Sequence, residues 1–329
     1  MKTRFNHWSM ILLLLVLGLP ACQPASNNAA PLTPVSVQLS FTHQAEFAGF
    51  YAAAQQGFYE EEGLDVTFLE GGPEVDFIAP VANGTAEFGV AQPADLILAR
   101  AAGMPVRAIA VIYRRSPIVF FSLADSGITR PQDFVGKRIR STTTIDRTLR
   151  AMMSRLDIAP DQYEIVYLPS NVAQFASGQV PVWGGLMNLF ALEVQQAGHT
   201  INIIYPDDYG IHFYANTLIT TDELIAADPD LVLRFTRATL NGWTYVVENP
   251  EAVGKFVQEY NPNADPQLEI EKMTASIPLV NTGEDFIGWM KPEVWAHIEQ
   301  TLREQNVLTG LLRVEDVYTL QFLEEIYGQ

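Results

Sequence analysis

Cysteine is almost missing from this chain: Cys22 is the single one. With no second thiol, no disulfide can close within it. A cysteine-built metal site and thiol catalysis are equally closed to the residues beyond Cys22. Basic residues are scarce as well, 20 Lys and Arg against 38 Asp and Glu, for a net charge of −18. So acidic a chain lacks the Lys/Arg face that phosphate backbones require, which argues against nucleic acid. It also lacks the basic patch that binds anionic lipid, and its charge serves solubility. The five histidines, His7, His43, His199, His212 and His297, are scattered. None falls in the His-x-x-x-His or Glu-x-x-His spacing that gathers a metal. The G-x-S-x-G elbow, the P-loop and the G-x-G-x-x-G fingerprint are all absent. The acidic pairs Asp207-Asp208 and Glu284-Asp285 read as solvated loop charges. Catalysis therefore has little to stand on.

What is present begins at the first residues. Lys2 and Arg4 precede an uncharged apolar run, Met10 to Leu19, and small residues follow it. That layout predicts a signal peptide over residues 1–21, because the run falls short of the ~20 residues a bilayer span needs. Leu19-Pro20-Ala21-Cys22 resembles the lipobox of bacterial lipoproteins, in which the cysteine is lipidated and becomes the new N-terminus. Ordinary cleavage near Ala21, leaving Cys22 a free thiol, is the alternative. Gln23 to Pro34 is polar, rich in Pro and Ala and without hydrophobic period, so residues 22–34 read as a lipidated terminus and flexible leash.

Beyond Pro34 strands and helices alternate. Val35 to Phe41 alternates apolar and polar, and Glu46 to Gln56 carries Phe47, Phe50, Tyr51 and Ala54 on one helical face. Strands at Leu64–Leu69, Ala86–Ala91 and Val106–Tyr113 enclose helices at Glu74–Ala82 and Pro93–Ala102. The pattern restarts after Gly127, with strands at Lys137–Ser141, Glu164–Leu168, Val180–Trp183 and Thr200–Tyr205 and helices between, among them Leu186–Ala197. After Thr221 it turns mostly helical. This predicts an α/β fold of two lobes, each a mostly parallel sheet flanked by helices. Residues 35–119 with 220–329 would form lobe 1 and residues 120–219 lobe 2. The two crossings would lie near Ile118–Leu123 and Phe213–Thr220. Ligands of open α/β sheets sit beyond the carboxyl ends of the strands, so the loops there are the candidates.

Ser40-Phe41-Thr42-His43-Gln44-Ala45-Glu46 joins the first strand to an aromatic helix start, and Phe41, Thr42, Glu46 and Tyr51 are its candidates. Gln92 stands between the third strand and a helix. Tyr113 and Arg114 lie beside the first crossing, where Arg114 and Arg115 suit either a structural ion pair or a ligand. Thr142 and Thr143 open a helix as caps or as ligand hydroxyls. Trp183 beside Gly184 and Gly185, with Asn188 after them, suits a flat ligand close to the backbone. Asp208 and Tyr209 complete the set.

The runs Glu46–Val66 (EFAGFYAAAQQGFYEEEGLDV), Gly84–Val90 (GTAEFGV), Leu98–Val106 (LARAAGMPV) and Leu240–Tyr245 (LNGWTY) with Glu248-Asn249-Pro250 resemble the NMT1/THI5-like solute-binding proteins of ABC importers. The resemblance implies the type II periplasmic-binding-protein fold, closing over a small ligand, with a membrane permease and an ATPase as partners. It implies a monomer tethered to the membrane by its lipid, binding without catalysis and without cofactor. The branch that binds pyrimidine precursors of thiamine typically carries Asp-Trp and Asn-His where this chain has Ser40-Phe41 and Glu46-Phe47. The related fungal pyrimidine synthases use a cysteine-rich motif that this chain lacks. The chain looks more like the riboflavin-binding members. There Phe41, Tyr51, Tyr113, Trp183 and Tyr209 would face a three-ring isoalloxazine, and Thr142, Asn188 and Asp208 its ribityl hydroxyls. A pyrimidine thiamine precursor is the alternative ligand.

Overall fold

The computed structural model describes residues 31–72 and 75–329, so the predicted signal peptide and Cys22 lie outside the described residues. Leu32–Gln329 form one compact unit holding two five-stranded sheets, flanked by helices. The first sheet contains β1 (Thr33–Gln38), β2 (Leu64–Leu69), β3 (Phe88–Ala91) and β4 (Val106–Tyr113). The second contains β5 (Ile118–Leu123), β6 (Arg138–Ser141), β7 (Glu164–Tyr167), β8 (Val182–Leu186) and β9 (Ile201–Ile204). The chain then returns as β10 (Ala215–Thr221), which inserts into the first sheet.

The strand orders are β2-β1-β3-β10-β4 and β7-β6-β8-β5-β9. In each sheet one strand runs against the other four: β10, which pairs antiparallel with β3 and β4, and β5, antiparallel to β8 and β9. These are the two strands that follow a crossing. Both predicted crossing segments are therefore sheet strands, and the crossings shorten to residues 114–117 and 211–214. Their apolar runs, Ile-Val-Phe-Phe and Leu-Ile, are buried by sheet neighbours on both sides. Of the helix expected over Glu74–Ala82, the described residues 75–82 form only Ala79–Ala82, and that expected over Leu186–Ala197 is confined to Phe190–Gln196. The strand expected over Val180–Trp183 runs instead as β8 through Gly184 and Gly185 to Leu186.

The first lobe is fastened by helix Ala48–Gln55 against the long helix Pro229–Glu248. Two glycines permit the approach. A Cβ on Gly49 would fall 2.3 Å from the Trp243 indole, and one on Gly242 would fall 2.1 Å from the Gly49 carbonyl oxygen. Trp243 is fully buried there, with Phe50 and Tyr113 edge-on to it. Two of the sequence runs that carry the family resemblance thus meet at one helix crossing.

Candidate ligand-binding cleft

Between the lobes lies a cleft of about 430 Å³, within the size range of small-molecule sites. Its walls come from the carboxyl ends of strands in both sheets. Ser40 and Phe41 follow β1, Gln92 follows β3, Tyr113 ends β4, Thr142 follows β6, Ser170 follows β7 and Asn188 follows β8. Asn216, at the start of antiparallel β10, joins them. The helices starting at Pro93 and Thr143 bring their N-termini to the cleft from opposite lobes, and Asp95 of one is ion-paired with Arg147 of the other at 3.0 Å. Gly71 seats the Phe41 loop: its N–H donates to the Phe41 carbonyl at 3.1 Å, and a Cβ there would meet Leu39 O at 2.3 Å.

Of the sequence candidates, Phe41, Glu46, Gln92, Tyr113, Thr142 and Asn188 line this cleft. The others lie elsewhere. Thr42 is exposed beside it, and Thr143 points to solvent while its neighbour Thr144 faces the cleft. Tyr51 is buried in the lobe 1 core, stacked on Tyr260 with its hydroxyl 2.8 Å from His43 Nδ1. Trp183 is buried in the lobe 2 core between Phe175 and Phe190, its Nε1 donating to Val180 O at 2.8 Å. Arg114 is spent on Asp285 (2.6 Å) and Thr282 (2.7 Å). Asp208 and Tyr209 sit in a short turn, where Asp208 is exposed and Tyr209 packs on the lobe 2 core. The flat walls of the cleft are instead Phe41, Phe77, Tyr113 and Phe190.

Sequence reasoning missed Ser40, Phe77, Arg140, Phe190, Asn216 and Lys272. Two carried a signal: Arg140 is a charge inside a strand, and Asn216 interrupts the apolar run of β10. Asn216 takes a left-handed backbone, φ +49°, which Asn tolerates better than most residues. Its Oδ1 accepts from Gln92 Nε2 at 3.1 Å.

Glu46 and Asp95 are the acids that line the cleft, and Asp95 is taken by Arg147. Gln44 Nε2 donates to the Glu46 carboxylate at 3.0 Å. Burial pushes this carboxyl above the usual range, and the amides of Asn216 and Gln44, then the charge of Lys272, pull it partly back. Lys272 itself is committed to the buried Glu269 at 2.7 Å, whose other oxygen accepts the Ala45 N–H at 2.6 Å. That pair bolts the Phe41–Glu46 loop to helix Pro266–Val280.

Two cleft atoms are buried without a hydrogen-bond partner: Ser40 Oγ and Asn188 Oδ1. Such orphans cost about 1–3 kcal/mol each and are uncommon in folded proteins. Both line the same cleft between the lobes.

Residues 44–253, more than half of the chain, match the family described as NMT1/THI5 like. The chain is 25% identical over 322 residues to the riboflavin-binding protein RibY of Chloroflexus aurantiacus, covering 92% of this chain and 90% of that one. It is 29% identical over 322 residues to the formylaminopyrimidine-binding protein of Halalkalibacterium halodurans, covering 94% and 96%. Among solved structures, a putative periplasmic sulfonate-binding protein SsuA from Methylobacillus flagellatus superposes with a TM-score of 0.71 at 14% identity, over 91% of this chain and 94% of that one, which shows the shared periplasmic-binding-protein fold. With this fold, this cleft and the match across both lobes, the chain belongs to the NMT1/THI5-like family.

Proposed function

We propose that this protein is the solute-binding component of an ABC importer and that it captures a vitamin-type heteroaromatic solute, riboflavin, for delivery to a membrane permease driven by an ATPase. The observation that carries this reading is the inter-lobe cleft, where aromatic faces and partnerless polar atoms converge at the strand ends. Rings on Phe41, Phe77, Tyr113 and Phe190 suit a flat tricyclic solute, while Thr142, Ser170 and Ser40 offer hydroxyls for a polyol chain. The likeness to a riboflavin-binding relative supports the choice of solute. A formylaminopyrimidine-type solute is the second reading, favoured by the other binding relative. Its weakness is that Ser40-Phe41 and Glu46-Phe47 replace the Asp-Trp and Asn-His typical of that branch.

The same reading makes the protein a binder rather than an enzyme, exported as a monomer and held at the outer face of the membrane by a lipid on Cys22. Among the described residues no helix is long and apolar enough to cross a membrane. Calorimetric titration of the purified chain with riboflavin and with formylaminopyrimidine tests the solute. Micromolar or tighter binding of riboflavin alone supports the first reading, and binding of the pyrimidine alone replaces it with the second.

A further inference from the structure

Arg140 is a buried cation without an acid. It is 4% exposed on β6 and, among the described residues, forms no ion pair. Three of its N–H groups are spent inside lobe 2: Nε donates to Leu168 O at 2.7 Å, one Nη to Gly184 O at 2.8 Å and the other to Ser170 Oγ at 3.3 Å. The guanidinium lies over the Trp183 ring at 5.6 Å. A guanidinium has five N–H groups, so one remains on each terminal nitrogen. Arg140 lines the cleft, and burying a charge whose hydrogen bonds are incomplete is costly. Its plane is fixed on three sides, which holds those two donors in place.

Asn188 lines the same lobe's wall four residues beyond Gly184, which accepts from Arg140. Its amide orientation is set by chemistry. Ser276 Oγ gives its single proton to Lys272 O at 2.7 Å. It can therefore only accept from Tyr113 Oη at 3.2 Å and from Asn188 at 2.7 Å. With that proton so placed, the atom facing Ser276 is the amide nitrogen, and the orphaned atom in the cleft is Oδ1, an acceptor.

We infer that Arg140 and Asn188 together read one edge of the solute, two fixed donors and one acceptor taking the carbonyl and N–H groups of a cyclic imide. The flavin ring system carries such an edge on its pyrimidinedione ring, so this assignment rests on the flavin reading above and deepens it. Asn188 also grips Ser276 of the opposite lobe, so reading the imide and holding the lobes together share one side chain.

The test uses the full chain in mild detergent, with riboflavin and N3-methylriboflavin titrated by calorimetry. Methylation removes the imide proton and should weaken binding by about tenfold or more. In Asn188→Leu the penalty should shrink below about twofold, because the acceptor that received the proton is gone. Arg140→Met should weaken riboflavin about tenfold or more. The ligand-side arm stands even if that variant does not fold. Equal affinity of the wild type for both ligands overturns the imide assignment and leaves the flavin reading intact. So does a methylation penalty that persists unchanged in Asn188→Leu, which would be steric. Failure of the wild type to bind riboflavin overturns both.

Discussion

At the scale of single residues, the difficulty lay in which way a side chain points. Both faces of a largely parallel sheet are covered, so alternation along a strand does not separate a ring facing the core from one facing a cleft. Trp183 and Tyr51 are flat and sit near strand ends or helix starts, as cleft residues do, yet both are core. Phe77 and Phe190 do line the cleft and have no distinguishing neighbours in sequence. Glu46 was legible, because it follows a strand end and opens a helix. Its titration gives a signed prediction. Its folded pKa is raised above 4.5, so the protonated form favours the fold. That stability is fully present below about pH 4.5 and is lost as pH rises through the raised folded value. Glu46→Gln should therefore gain thermal stability relative to wild type with increasing pH from about 4.5 upward. Melting temperatures of the two proteins across pH 4 to 8 check it, and a difference independent of pH would refute it.

Among elements, the close helix crossing at Gly49 and Gly242 is the sharpest dependence of fold on sequence. Gly242→Ala would place a methyl 2.1 Å from a backbone carbonyl oxygen, where no flexible side chain can yield. We expect a loss of about 3 kcal/mol, read from urea unfolding midpoints at unchanged m-value. Gly57→Ala makes a good control, since nothing lies near its Cβ position; its positive φ alone should cost less, about 1 kcal/mol. The crossings were misplaced for an element-level reason. A chain that changes lobes must pair at once with the strands it joins, so the first stretch after each crossing becomes an antiparallel strand with no break in apolar composition.

Taken as a whole molecule, the lobes are bridged on several sides. Asp95 pairs with Arg147, Gln305 Nε2 donates to Arg147 O at 2.7 Å, Asn188 reaches Ser276, and Gln196 reaches Glu271. The Asp95–Arg147 pair is about one-third exposed, so it contributes about 0.2–1 kcal/mol. If it favours the closed arrangement, Arg147→Met should weaken solute binding by up to about fivefold and no more. Titration calorimetry measures that, and a loss of a hundredfold would show that Arg147 does something else. At the same scale, Cys22→Ser should move the full chain from the membrane fraction of its host to the soluble fraction, as read by immunoblot. Retention in the membrane would sink the lipid tether.

Much of this protein was decided within short stretches of its sequence. The scarcity of cations and the lone cysteine exclude whole classes of chemistry, and the alternation of strand and helix with the glycine-bearing runs at Gly49 and Gly242 points to the α/β class and the family, because such patterns depend on neighbours within a few turns of chain. The tertiary structure decided which side chains share the cleft. Asn188 meets Ser276 88 positions away, and the Ala45 N–H meets Glu269 224 positions away. Such contacts leave no periodic trace, since the residues that complete a site between two lobes are brought together only when both lobes and both crossings have folded.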